Sequence, residues 1–252
     1  MGMQFPKNPS FLSVCNKLAL IFILTLVSQF NLVYAQVNTV EFGKNRVQYK
    51  KFKWQYYQTT NFNTYYSQKG EQIAQKVAQI AEHELPELES FMEYGLQRRA
   101  NLVVYNSFND LQQTNIGLTT EWQTNGGNTK LVNNKMVVAY NSNNYDLKIS
   151  VRQGIARILL DNILFGDDLG EFAANQALLD LPKWLTDGFV SYAAENWSTK
   201  LDDQLKSAML SGKYRNFYQF AHDEPGLAGH AFWRYIEETY KKDNTKYFLY
   251  LA

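Results

Sequence analysis

Strand-like and helix-like segments are separated along this chain, and their order limits its possible folds more than any other feature. "ANLVVYNS" at 100–107 and "KMVVAYN" at 135–141 are short apolar runs rich in β-branched residues, as is typical of buried strands. After residue 142, apolar residues recur with helical spacing almost to the end. We therefore predict an α+β fold, with a β-rich part at 36–141 followed by a helical part at 142–252.

The boundaries of the other elements follow from apolar spacing and from proline and glycine. Extended chain is predicted at 36–60 and loops at 106–134. A helix is predicted to begin at Glu71 and to break at Pro86, which restarts it and lets it run to Gly95. Further helices are predicted at 145–165, 171–179, 182–196, 201–211, 214–222, 228–242 and 245–252.

The first 35 residues have the pattern of a secretory signal peptide. Lys7 and Lys17 precede an apolar segment at residues 18–27. Ala35 provides a small residue before the expected cleavage point. A membrane anchor is the alternative interpretation, but the apolar segment is short for a stable span. We expect an exported protein.

Composition limits what the remaining domain, 36–252, can be. Its fold must rely on a hydrophobic core, because the only cysteine, Cys15, lies in the signal segment. It carries 23 basic against 24 acidic side chains, which gives no electrostatic reason to expect a nucleic acid partner. The local basic run "KNRVQYKKFKW" at 44–54 alternates as a strand with one solvated face does.

The pattern with the most chemical content is the helix at 145–165 followed by "LPKWLTDGFVSYAAENW" at 181–197. In zinc peptidases a helix reading H-E-x-x-H leads to a similar P-x-W-L-x-E-G-x-x-x-Y segment. The two histidines hold the metal, the glutamate acts as general base, and a third ligand arrives from elsewhere. Here the five helix positions read Gln153-Gly154-Ile155-Ala156-Arg157, and Asp187 stands where the acidic ligand would stand.

These residues do not fit a zinc ion. The amide of Gln153 is a poor ligand, the guanidinium of Arg157 cannot lose its proton, and Gly154 has no carboxylate to act as base. We therefore expect no metal, no other cofactor and no catalytic residue. A larger residue at position 154 is expected to strengthen the helix, because a mid-helix glycine costs about 1 kcal/mol relative to alanine.

A carboxylate left in a former metal site needs a new partner. Our hypothesis is that the guanidinium of Arg157 lies roughly where the metal would lie and hydrogen-bonds to Asp187. The rival is a local pair with Asp161, four residues along the same helix. A buried interhelical pair predicts that Arg157→Ala costs about 3–5 kcal/mol, whereas a surface pair predicts less than about 1 kcal/mol.

The chain has three histidines, His83, His222 and His230, and no two of them have metal-ligand spacing on a helix. His83 and Glu84 match half of H-E-x-x-H, with Glu87 in place of the second histidine and a proline between. We interpret this acid-rich segment as solvated helix surface. His230 is interpreted as a packed or capping residue.

The chain resembles the peptidase-MA-like domain, a gluzincin-type metallopeptidase fold. It resembles in particular those domains that follow a signal peptide in bacterial envelope proteins and precede a WD40-like (TolB-type) β-propeller. The resembling segments run from "FGKNRVQYKKFKW" to "GHAFWRYIEETY" and span most of residues 41–242. The most specific positions are Pro182, Trp184, Leu185, Gly188 and Tyr192.

The resemblance implies the fold but not the activity, because positions 153, 154, 157 and 187 all depart from the family's pattern. The apolar end of the chain, at 247–251, lacks a helix-capping signal, so we expect the native protein to continue past residue 252. The resemblance implies that a β-propeller follows there. The family's cleft runs along an edge strand, which could pair with an extended chain. That strand would comprise Met136, Val137, Val138, Ala139 and Tyr140.

The resemblance, together with the lost site residues, implies a non-catalytic pseudo-metallopeptidase domain that binds a peptide or protein in the bacterial envelope. The expected location is periplasmic or associated with the outer membrane. An active metallopeptidase with the unorthodox ligands His222, His230 and Asp187 is one alternative. An envelope carbohydrate-binding module is another, suggested by 17 tyrosines and 5 tryptophans. It predicts a flat exposed patch made of Tyr56, Tyr57, Tyr65 and Tyr66.

Overall fold

The protein combines a four-stranded sheet with seven helices in the part of the chain that the structure describes. The structure is a computed structural model, and it describes residues 49–114, 134–166 and 181–240. All of these residues belong to one compact unit, Gly43–Ala252. The expected signal segment and the expected helices at 171–179 and 245–252 lie outside the described residues.

The sheet has the strand order β1-β2-β3-β4, with β1 antiparallel to β2 and the other pairs parallel. The strands predicted at 100–107 and 135–141 are confirmed as β3 and β4. The part of the basic run that the structure describes, residues 49–54, was wrongly predicted as a strand, because these residues have no strand structure. The rest of the run, 44–48, lies outside the described residues. The strands are β1 Gln55–Gln58, β2 Phe62–Tyr66, β3 Ala100–Tyr105 and β4 Lys135–Ala139.

The predicted helices that lie in the described residues are all present, with ends that differ by a few residues. Several begin at capping side chains, as when the Asn143 carboxamide accepts hydrogen bonds from the backbone N–H groups of Tyr145 and Asp146. The α+β class is therefore confirmed. The helices are α1 Glu71–Met92, α2 Phe108–Gln112, α3 Asn144–Phe165, α4 Lys183–Ala194, α5 Thr199–Leu210, α6 Phe217–Asp223 and α7 Pro225–Tyr240.

The break predicted at Pro86 is wrong, because α1 continues through it to Met92. A proline inside a helix removes one hydrogen bond and costs about 3 kcal/mol. Leu85 and Leu88, on either side of it, are fully buried in the main core. We infer that burial of this continuous apolar stripe offsets the cost, since packing rather than propensity supplies most helix stability.

The main core lies between one face of the sheet and helices α1 and α3. Strand side chains alternate between the two faces. Leu102, Val104, Met136 and Val138 face the helices, whereas Val103, Tyr105 and Val137 form a smaller cluster with Leu111 of α2 on the other face. Strand β4 packs directly on α3, so the sheet fixes the position of the helix that carries residues 153–157.

Candidate functional site

The expected contact between Arg157 and Asp187 is present. Arg157 lies on α3 and Asp187 on α4, and the Arg157 Nη2 donates a hydrogen bond to the Asp187 Oδ1. The Arg157 side chain is 35% exposed and the Asp187 side chain 22% exposed. The pair therefore bridges two helices at the margin of the core rather than inside it.

Gly154 has a packing reason that the sequence did not reveal. A Cβ at this position would lie 2.3 Å from the Met136 Sδ and 3.1 Å from the Met136 Cβ. Met136 is almost fully buried, so its side chain would have to move before any larger residue fitted. The expected gain in stability from replacing Gly154 is therefore opposed by a steric cost. The Met136 thioether occupies the space that the first carbon of a glutamate side chain at position 154 would need.

Gln153 lies one turn before Arg157 on α3 and is half-buried. The arrangement thus brings together an amide, a guanidinium and a carboxylate beside a glycine. None of these groups is an imidazole, and Asp187 supplies the one anionic oxygen ligand among them. The zinc ion implied by the resemblance does not fit these residues.

The histidines do not supply a substitute site in the described residues. No group of three or more His, Cys, Asp or Glu side chains there is arranged to hold a metal ion, and His222, His230 and Asp187 are not such a group. The side chains of His83 and His222 are 82% and 87% exposed. Each contacts the acidic residue that follows it in the chain.

His230 is a packed histidine, as expected. It is buried in the α4–α7 interface, where its Nδ1 lies 2.9 Å from the Ser191 Oγ and its ring contacts the rings of Tyr192 and Trp197. Burial, with a smaller contribution from the charge of Arg234, lowers the pKa of His230 to about 4. The imidazole is therefore neutral at physiological pH.

Two glycines allow α4 and α7 to cross at very short range. A Cβ on Gly188 would lie 2.3 Å from the Gly229 Cα, and one on Gly229 would lie 1.8 Å from the Trp184 carbonyl oxygen. These obstacles are backbone atoms, so they cannot move aside as a flexible side chain can. The glycine after Asp187 in the motif thus has a structural role, since it brings α4 against its neighbour.

A buried cluster of charged residues was not predicted from the sequence. Glu84, interpreted as solvated, is only 4% exposed and accepts hydrogen bonds from Lys148 and Arg152 of α3. Burial alone would raise its pKa, but hydrogen bonds from Lys148, Arg152 and His83 outweigh burial and lower the pKa of Glu84 to about 2. The sequence did indicate that Glu84 is buried, because it lies at helical spacing between the apolar positions Ala81 and Leu88.

The tyrosines do not form the patch that a carbohydrate module predicted. Because alternate residues of a strand face opposite sides, Tyr56 stacks on Tyr65 with ring centroids 5.4 Å apart, and Tyr57 packs with Tyr66 on the other face. Burial raises the pKa of Tyr57 to about 12. The expectation of one flat surface is therefore wrong.

The strand expected to border the cleft lies at an edge of the described sheet, since β4 pairs there only with β3. The Tyr140 N–H donates to the Tyr105 carbonyl, which shows that Tyr140 and Val138 direct their backbone groups toward β3. Backbone groups alternate along a strand, so those of Val137 and Ala139 point away from β3. No described strand pairs with the backbone groups of Val137 and Ala139.

No protein-family model matches the chain, and no curated protein or solved structure is detectably similar to it. The resemblance to peptidase-MA-like domains therefore rests on the motifs of the chain itself and stays a prediction. No helix in the described residues is long and apolar enough to cross a membrane.

Proposed function

We propose that this protein is a non-catalytic, peptidase-like module that binds an extended peptide or protein segment in the bacterial envelope. The observation that carries the proposal is the hydrogen bond between Arg157 and Asp187. It joins two positions at which a gluzincin would hold zinc. A permanent positive charge there offsets the Asp187 carboxylate and repels a metal cation.

The lack of catalysis follows from the same residues. An active peptidase needs a metal-bound water and a carboxylate that accepts its proton. Gly154 supplies no carboxylate, and Met136 packs against the space where one would begin. In this proposal residues 1–35 direct export, and a β-propeller follows the module in the full protein.

Binding is proposed along the edge of β4 that no other described strand covers, by addition of a strand from the partner. Val137 and Ala139 direct backbone N–H and C=O groups away from β3, and such groups form the ladder of an added strand. Their side chains pack on the small cluster around Tyr105 and Leu111, which anchors the strand to the other face of the sheet. Specificity would then come from side chains flanking the edge.

The test compares two substitutions at one residue. Val137→Pro removes the outward N–H but leaves the hydrogen bonds to β3, whereas Val137→Ala shortens the side chain and keeps the N–H. The probe is fluorescein-labelled β-casein, an unfolded protein, and the readout is fluorescence anisotropy. Val137→Pro should weaken binding about five- to tenfold relative to Val137→Ala, as expected for loss of one hydrogen bond.

Thermal unfolding of both variants checks that the sheet is intact. Equal casein affinities for two folded variants would contradict binding at this edge, as would wild-type protein that does not bind casein at all. The second result would remove the proposed function itself.

A further inference from the structure

A separate cavity lies between α1, α3 and the segment that follows α4. Its volume is about 860 Å³, which is in the size range of small-molecule sites. It lies near the N-terminal half of α3 and is lined by neither Arg157 nor Asp187. Its lining includes the aromatic residues Phe91, Tyr145 and Trp197 and the carboxylates Glu87, Glu195 and Glu237.

The cations of this cavity are already neutralised by the protein. The five N–H groups of Arg152 make five hydrogen bonds, to the carboxylates of Glu84 and Glu87 and to the carbonyls of Ala193 and Ala194. The Lys148 Nζ lies 2.8 Å from the Glu84 Oε1. An anionic ligand would therefore have to break existing ion pairs in order to bind.

Two carboxylates of the cavity lack such partners. Glu195 and Glu237 are half-buried, and neither side chain has a hydrogen bond or an ion pair with another described residue. Burial, reinforced by Asp146 and opposed by Lys200, raises the pKa of Glu195 above its usual value. A half-buried carboxylate with no close partner is stabilised by any cation that reaches it.

We propose that this cavity binds an organic cation, an aliphatic chain that carries a primary ammonium or guanidinium group. Glu195 and Glu237 would accept hydrogen bonds from the charged head, and these charge-assisted bonds are the strong ones. The aromatic walls suit the rest of the ligand, because Tyr145 and Phe91 can contact an alkyl stem and attract the cation through their ring faces. The cation could belong to a free amine or to a basic side chain of a peptide.

Isothermal titration calorimetry at constant ionic strength tests the ligand class. The cationic probes are 1,5-diaminopentane and the peptide acetyl-Gly-Lys-Gly-amide. The controls are the same peptide with norleucine, which keeps the stem and removes the charge, and with glutamate. Binding of the diamine or the lysyl peptide, without binding of either control, supports the proposal, and the probe that binds identifies the source.

Variants then locate the site. Glu195→Gln should weaken binding of the cationic probe about tenfold or more, as expected for loss of a partly desolvated charge partner. The matched control is Glu238→Gln, which removes the same charge from a side chain that does not line the cavity and pairs with Arg234. It should change the affinity less than about twofold, as expected for a screened surface charge.

Glu195→Gln should fold, because it removes a carboxylate that burial disfavours. Equal binding of the norleucine peptide, binding of the glutamate peptide, or no difference between the two variants would overturn the proposal. Because the cavity is distinct from the edge of β4, these results do not depend on casein binding.

Discussion

Arg157 of α3 donates a hydrogen bond to Asp187 of α4, and this bond links the two helices that the motif places side by side. Both side chains keep part of their exposure to solvent. The solvent that remains screens the interaction, so its energy should lie between that of a surface pair and that of a buried one. The cost of about 3–5 kcal/mol expected for a buried pair is therefore too high.

A double-mutant cycle with Arg157→Ala and Asp187→Ala measures this bond. We expect each single substitution to lower the free energy of unfolding by about 1–2 kcal/mol, with a coupling energy of about 1 kcal/mol between them. Urea unfolding followed by circular dichroism provides the measurement. A cycle with Asp161→Ala in place of Asp187→Ala serves as the comparison, and a larger coupling to Asp161 would show that the interhelical bond matters little.

Substitution of Gly188 by alanine should be among the most destabilising changes in the chain. Its new Cβ would lie 2.3 Å from the Gly229 backbone, so α4 and α7 would have to separate. We expect a loss of about 3 kcal/mol or more, at the upper end of overpacking costs. Gly226→Ala in α7 is the matched control, because its Cβ would meet nothing within 4 Å. Similar midpoints for the two variants would refute the close crossing.

Buried His230 should make stability fall as the pH is lowered. Its pKa is about 4 in the folded protein and 6.5 in the unfolded chain, so the unfolded state binds the proton first. Between pH 6.5 and pH 5 we expect this group to remove about 2 kcal/mol of stability, and the loss should continue down to about pH 4. Above about pH 7.5, where the unfolded chain is also deprotonated at this group, it contributes almost no pH dependence.

His230→Asn should reduce that slope, whatever its effect on stability at neutral pH. His222→Asn is the control for loss of an exposed histidine. Chemical denaturation at a series of pH values provides the comparison. An unchanged slope in His230→Asn would mean that His230 is not held neutral.

The sequence predicted the elements of this fold well where the apolar pattern was regular. Strands β3 and β4 and the helices from Asn143 onward needed only spacing and capping residues. The Arg157–Asp187 contact could also be predicted, because the resemblance implies that these two positions lie close together. Contacts between segments that are distant in the sequence could not be predicted. No local pattern shows that Met136 meets Gly154 or that Gly188 meets Gly229.

The errors share a physical cause. The predictions for Pro86 and Glu84 used only the helix propensity and polarity of the residues themselves. In the structure, tertiary packing of α1 keeps the helix continuous at Pro86 and buries Glu84. Glu84 tolerates burial because Lys148 and Arg152 arrive from another helix, and local sequence shows neither. The tyrosine patch failed because strand alternation, which was visible in the sequence, was not applied to it.

Rebuilding the metal ligands tests whether the motif has the correct register. Gln153→His, Arg157→His and Asp187→Glu together place two imidazoles and a carboxylate at the gluzincin positions. Gly154 should be kept, because Met136 opposes any larger side chain there. We expect this triple variant to gain zinc affinity by calorimetry. A folded variant with no affinity would mean that these positions do not converge.

The most direct test of the central claim is the zinc content and peptidase activity of the wild-type protein after purification in zinc-replete medium. Mass spectrometry of the metal content should find no stoichiometric zinc, and labelled β-casein should remain uncut, because Arg157 and Gln153 cannot ligate the ion. The rebuilt triple variant provides the positive control for zinc. One zinc per chain, together with casein cleavage that a chelator abolishes, would contradict the account.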